Sequence, residues 1–134
     1  MVKPMHTDRL GLRIRLVLDG GIAMGPGRAD LLQFIQETGS IAAAGRRMRM
    51  SYKRAWQLTE DLNHAFRTPL VEAAKGGTGG GGARLTALGM DILASYRSLE
   101  QTALSAGADA LAVINAALAS RSADHSLLQS ETPS

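Results

Sequence analysis

Five cations, Arg46, Arg47, Arg49, Lys53 and Arg54, fall inside nine consecutive positions, and no acidic residue occurs between Glu37 and Glu60. Such a run is either a solvated helix face or a surface for a polyanion, because guanidinium and ammonium groups bond phosphate oxygens and the electronegative edges of bases. Lys53 and Arg54 suit phosphate or guanine edges, and Gln57, one helical turn after Lys53, suits adenine. Ser51 can cap a helix while donating to phosphate. Tyr52 can meet a phosphate or a thymine methyl, or equally pack on a neighbouring helix. Arg46 and Arg47 suit backbone contacts. A second group surrounds six glycines among the seven residues from Gly76 to Gly82: Lys75, Thr78 and Arg84, beside bare backbone N–H groups, can follow phosphates or enter a minor groove.

Other chemistries lack their residues. With no cysteine there is no disulfide, thiolate zinc site or Cys nucleophile. His6, His64 and His125 are far apart, and none has a partner three or four positions on. Ser51 has no GxSxG context, and Glu60 and Asp61 diverge by about 100° on a helix. Neither glycine-rich stretch, GGIAMGPGR from Gly20 or KGGTGGGG from Lys75, ends in the GK[ST] of a phosphate loop. The expectation is a protein that is not an enzyme and takes no cofactor and no metal.

The elements that must position these residues come from a chain of 134 residues, 45% apolar and 20% charged, with net charge +3, which predicts one globular domain. No secretory or membrane-spanning pattern is visible, since the apolar stretch from Ala103 to Ala119 contains Ser105, Asp109 and Asn115, so a cytoplasmic location is expected, with no membrane partner. Alternation from Leu10 to Leu18 predicts a half-buried strand, with Leu12, Ile14, Leu16 and Leu18 inward and Arg13, Arg15 and Val17 outward. Edge protection explains the two arginines. Asp19 to Gly27 reads as a turn-rich connection. A helix is expected from about Arg28 to Thr38, stopped by Gly39. Ser40 caps a second helix whose Ile41, Ala44, Gly45 and Met48 form a small-residue inner face. Ser51 caps a third, running to about Phe66 over a seam of Ala55, Leu58, Leu62 and Ala65, with Trp56 read as core. Arg49 occupies the intervening turn, where positive φ commonly selects Gly at a cost of roughly 1 kcal/mol to other residues. Compensation by a phosphate contact, or a slightly different turn, is expected there.

Leu70–Ala74 and Ala83–Leu85 read as strands flanking the glycine hairpin. From Thr86 an apolar stripe through Leu88, Ile92, Tyr96, Leu99 and Ala103 predicts a helix to Ser120, interrupted near Gly107. At 1.5 Å per residue it would span roughly 50 Å and overhang the core, so pairing with a second copy is expected, the alternative being a fold-back at Gly107. The predicted class is mainly α with a small antiparallel sheet. Residues 1–85 are expected to form a winged helix-turn-helix, 86–120 a dimerisation helix and 121–134 a polar tail without fixed structure.

GPGRADLLQFIQETGSIAAAGRRMRMSYKRAW, from Gly25 to Trp56, and LVEAAKGGTGGGGARLTALG, from Leu70 to Gly89, closely resemble the N-terminal DNA-binding domain of the molybdate-responsive ModE regulators. The likeness covers about Leu10 to Ala103. It implies a dimeric transcription regulator bound to double-stranded DNA, with a recognition helix opening at Ser51, Tyr52 and Lys53 and a wing from Gly76 to Gly82. Full-length family members carry molybdate-binding domains after the long helix. None is expected between the long helix and Ser134, so the resemblance is to the short, single-domain form, for which an oxyanion effector is not implied. Two other functions fit the same elements: a protein-docking winged helix, and a small-oxyanion sensor using the wing amides.

Overall fold

The computed structural model describes residues 11–75 and 81–119. The chain divides into two compact units, one of residues 13–100, the other containing the described residues 11–12 and 101–119. In the first, β1 (Leu16–Leu18) turns through Asp19–Gly20 onto β2 (Gly21–Met24), with Gly20 at φ 78°. The strand expected from Leu10 is thus confined to its last three residues, and the expected connection contains a strand of its own. Pairing sets both limits: β2 offers four residues, and the register shifts between Leu16 and Val17, leaving residues 11–15 without a ladder partner. Leu16, expected inward, is 40% exposed. Ile14 is held differently, its carbonyl accepting from the Tyr96 hydroxyl at 2.6 Å.

Helix α1 (Pro26–Thr38) starts two residues before the expected Arg28, because Pro26 presets φ and lacks the N–H that a first turn leaves unpaired. Gly39 ends it at φ 75°, its N–H donating to the Ile35 carbonyl at 2.8 Å. Ser40 accepts from the Ala43 N–H at 3.0 Å and opens α2 (Ile41–Arg47). Ser51 accepts from the Arg54 N–H at 3.0 Å and opens α3 (Tyr52–Ala65). In the turn between them Arg49 takes φ 58°, the left-handed conformation expected there, while the Met50 N–H donates to the Gly45 carbonyl at 3.0 Å. A Cβ at Gly45 would stand 3.0 Å from the Ala55 Cβ, so the small inner face of α2 does permit a close crossing of α3.

Beyond α3, Asn63 clasps the chain: its side-chain oxygen accepts from the Leu70 and Val71 N–H groups at 2.8 and 3.0 Å. Antiparallel β3 (Val71–Ala74) and β4 (Gly82–Leu85) then form the wing, with Glu72 opposite Arg84. The Ala83 N–H donates to the Gly39 carbonyl at 2.9 Å, tying the wing to the helix-turn-helix. Thr86 donates to the Pro69 carbonyl, accepts from the Gly89 N–H and opens α4 (Ala87–Ala106). Arg97 fastens α4 to α1 through Asp30 and Gln33, both at 2.8 Å. The core gathers Met24, Leu31, Leu32, Ile35, Leu62 and Leu70, all nearly or fully buried.

In the second unit the chain leaves α4 at Gly107 for α5 (Ala108–Ala117), the interruption expected at that glycine. Gly107 N–H donates to the Ala103 carbonyl at 2.8 Å, and Leu111 N–H to the Gly107 carbonyl at 2.9 Å, so the i to i−4 ladder continues through the break. The inward placements expected of the Leu10 and Leu18 side chains, and the tail 121–134, lie outside the described residues. Among the described residues no helix is long and apolar enough to cross a membrane.

Candidate nucleic-acid interface

The buried seam of α3 is Ala55, Leu58, Thr59 and Leu62. At about 100° per residue, Lys53 and Gln57 point away from that seam, Tyr52 and Trp56 occupy one flank, and Arg54 and Asp61 the other. Lys53, Arg54 and Gln57 are exposed, and Tyr52 is 57% exposed. Trp56, expected in the core, is instead 43% exposed: it lies a quarter turn off the seam. The interior position goes to Thr59, whose hydroxyl is satisfied by the Ala55 carbonyl at 2.9 Å. Ala65, expected in the seam, is also exposed, in the last residue of the helix.

The cations differ in how they are engaged. Arg49, Lys53, Arg54 and Lys75 are exposed and make no ion pair among the described residues. Arg47 pairs with Glu37 at 2.7 Å and lies 5.3 Å from the centre of the Phe34 ring. Hydrogen bonds from Gln33 and then Arg47 hold the Glu37 carboxyl below its ordinary pKa. Arg84 pairs across the wing with Glu72 at 2.9 Å. The Gln57 amide donates to Asp61 at 3.1 Å. Both exposed pairs and this exposed bond exchange readily for a ligand, since surface ion pairs contribute only about 0–1 kcal/mol. Ser51, having accepted from Arg54, retains a hydroxyl proton to donate. Thr78 lies outside the described residues.

Two clefts flank α3. One, of about 380 Å³, brings Arg46 and Tyr52 together with Ser40, Gly81 and Gly82, so that α2, the first turn of α3 and the wing base share a wall. The other, of about 270 Å³, is lined by Arg15, Arg28 and Arg54 with Pro26, Met48 and Met50. Arg15 and Arg28 were not expected at the site. Arg15 reads as the outward residue of an alternating strand, and nothing local to the sequence brings residues 15, 28 and 54 to one place. No cluster of three or more His, Asp or Glu that could hold a metal occurs among the described residues.

No protein-family model matches the chain. It is 45% identical over 80 residues to the molybdenum-pterin-binding protein MopB of Rhodobacter capsulatus, covering 60% of this chain and 30% of that protein. It is 45% identical over 71 residues to the transcriptional regulator ModE of Yersinia pestis, covering 53% of this chain and 27% of that one. The chain therefore spans under a third of the length of these relatives. Among solved structures, the complex of CbnR_DBD with DNA superposes with a TM-score of 0.53 at 23% identity, covering 66% of this chain and 95% of that one, a likeness of fold. Over its N-terminal part, this chain is similar to the ModE, MopA and MopB proteins and has the winged helix-turn-helix fold.

Proposed function

We propose that the protein is a sequence-specific DNA-binding transcription regulator, a homodimer that reads two half-sites of duplex DNA and serves genes connected with molybdenum. The observation that carries this reading is the first turn of α3, capped by Ser51 and presenting Lys53 exposed, with no ion pair among the described residues, on the same face as Gln57. A major groove admits a helix end of this kind, and the half-sites of a symmetric dimer lie about 34–36 Å apart. In this reading Lys53 and Gln57 address base edges, and Arg54 meets a guanine edge or a phosphate. Ser51, Tyr52, Arg47, Arg49, Lys75, Thr78 and Arg84 contact phosphates or the minor groove. Arg49 then also gains a compensating contact for its left-handed backbone. The link to molybdenum rests on the names of the relatives, and the protein acts without catalysis. The domains follow the same division: the winged helix to residue 85, the dimerisation helix from 86, and a tail after 120.

Selection of bound sequences from a random duplex library tests the reading, with enrichment of a two-fold symmetric sequence as the expected outcome. Affinity for the selected duplex should fall by orders of magnitude between about 50 and 200 mM salt. Lys53→Ala should cost roughly 1–3 kcal/mol on it and little on mixed-sequence DNA. No enrichment, together with salt-insensitive association with another protein, would favour a docking module instead.

A further inference from the structure

We propose that the cleft lined by Arg15, Arg28 and Arg54 is an oxyanion site that receives one backbone phosphate of the bound duplex. This rests on the DNA-binding reading above. Three like-charged groups converge on one cleft with scant help from the protein's own carboxylates. Arg15 and Arg54 make no ion pair among the described residues. Arg28 meets Asp61 only at 3.9 Å, and the other oxygen of that carboxylate already accepts from Gln57 at 3.1 Å. Elsewhere the acids come close: Arg47, Arg84 and Arg97 hold theirs at 2.7, 2.9 and 2.8 Å. A cluster left this way is neutralised best by an anion from outside, and the planar guanidinium fork matches phosphate oxygens two at a time.

The cleft has the size and surroundings for that ligand. Its volume of about 270 Å³ is several times the ~30 Å³ that one water occupies in the liquid. Met48, Met50 and Leu58 supply an apolar part of the lining, which strengthens charge-assisted bonds made beside it. Arg54 stands on the flank of α3, next to the outward face that carries Lys53 and Gln57, where the sugar-phosphate strand bordering a groove runs past a helix lying in it. Arg54 is thereby assigned to the backbone, and base reading is left to Lys53 and Gln57. A free tetrahedral oxyanion offers the same chemistry, and the experiment separates the two sources.

The test uses the full chain. Arg15 is exposed and makes no ion pair among the described residues, so Arg15→Ala should fold as the parent does, checked by thermal denaturation. Arg15→Ala should weaken binding to the selected duplex and to mixed-sequence DNA equally, by about tenfold. It should also flatten the slope of log Kobs against log salt by about 0.9, the signature of one lost phosphate contact. Arg15→Lys should keep the slope while losing part of the affinity. A neutral methylphosphonate at the contacted position should weaken the parent more than it weakens Arg15→Ala, which keeps only Arg28 and Arg54 at the cleft, and this identifies the duplex backbone as the source. Saturable calorimetric heat with inorganic phosphate at fixed ionic strength, abolished in Arg15→Ala, would identify a free oxyanion at the same site. Unchanged affinity and slope in Arg15→Ala, with no phosphate heat, overturn the proposal even where Lys53→Ala still abolishes discrimination. A chain that binds no duplex at all removes the DNA-binding reading, and the phosphate titration then decides the cleft by itself.

Discussion

Trp56 is the chain's single tryptophan, and its place on the flank of α3 makes it a reporter of whatever α3 meets. At 43% exposure, one turn after Tyr52, its emission should be quenched by iodide in the free protein. Saturating duplex should protect it and shift the emission, because a groove wall would replace solvent on that side. Identical Stern–Volmer slopes with and without duplex would place this flank away from DNA. Residue type alone argues for burial of a mid-helix tryptophan. The quarter-turn offset from the Ala55–Leu62 seam argues the other way, and a threonine with a carbonyl partner fits the interior position. Arg49 was more legible: a break flanked by two capped helices demands a left-handed residue whatever its side chain, and φ is 58°. Arg15 and Arg28 were illegible for the opposite reason, since their meeting with Arg54 depends on how β1, α1 and α3 pack.

At the scale of elements, caps and glycines are what made the helices readable. Ser40, Ser51 and Gly39 each sit at the terminus where their hydrogen-bonding or left-handed preference acts. The first hairpin carried an equally local signal, Asp19–Gly20, the tight turn of two paired strands. The neighbouring Gly21, Gly25 and Gly27 hid it by making the whole stretch look like a loop. Gly89 shows a requirement that no local pattern announces. A Cβ there would stand 2.1 Å from the Leu70 carbonyl oxygen, a backbone atom fixed from both sides by the Asn63 clasp and the Thr86 N–H. Gly89→Ala must therefore push α4 off the Leu70 carbonyl and should cost roughly 3 kcal/mol. Gly27→Ala has open space within 4 Å and a helical position, so it should be neutral or gain up to about 1 kcal/mol. Urea denaturation of the pair checks this; equal midpoints would mean that Gly89 and the Leu70 carbonyl are not in the contact described.

For the whole molecule, the decisive feature is an apolar helix with no buried residue. No residue of α5 is buried, and Val113 and Ile114 are 71% and 51% exposed, with Leu118 beyond them at 39%. A ten-residue helix is marginal in water by itself, so its order calls for an apolar partner surface. Length and alanine-rich patterning signalled the uncovered helix, but the partner's identity is a property of two chains and cannot be written in one. A second copy fits the proposed reading of symmetric half-sites, because joining two heads would turn the second binding event into an intramolecular one. Sedimentation equilibrium at micromolar concentration should give twice the 14.1 kDa chain mass. Ile114→Asp, which buries a charge in the pair and changes no residue of α3 or the wing, should shift the equilibrium to monomer. It should also weaken binding to the two-half-site duplex by roughly 10²-fold or more, while binding to a single half-site stays as in the parent. A parent chain that sediments as monomer, or an Ile114→Asp variant that loses single half-site binding equally, would show that α5 serves some end other than pairing two DNA-reading heads.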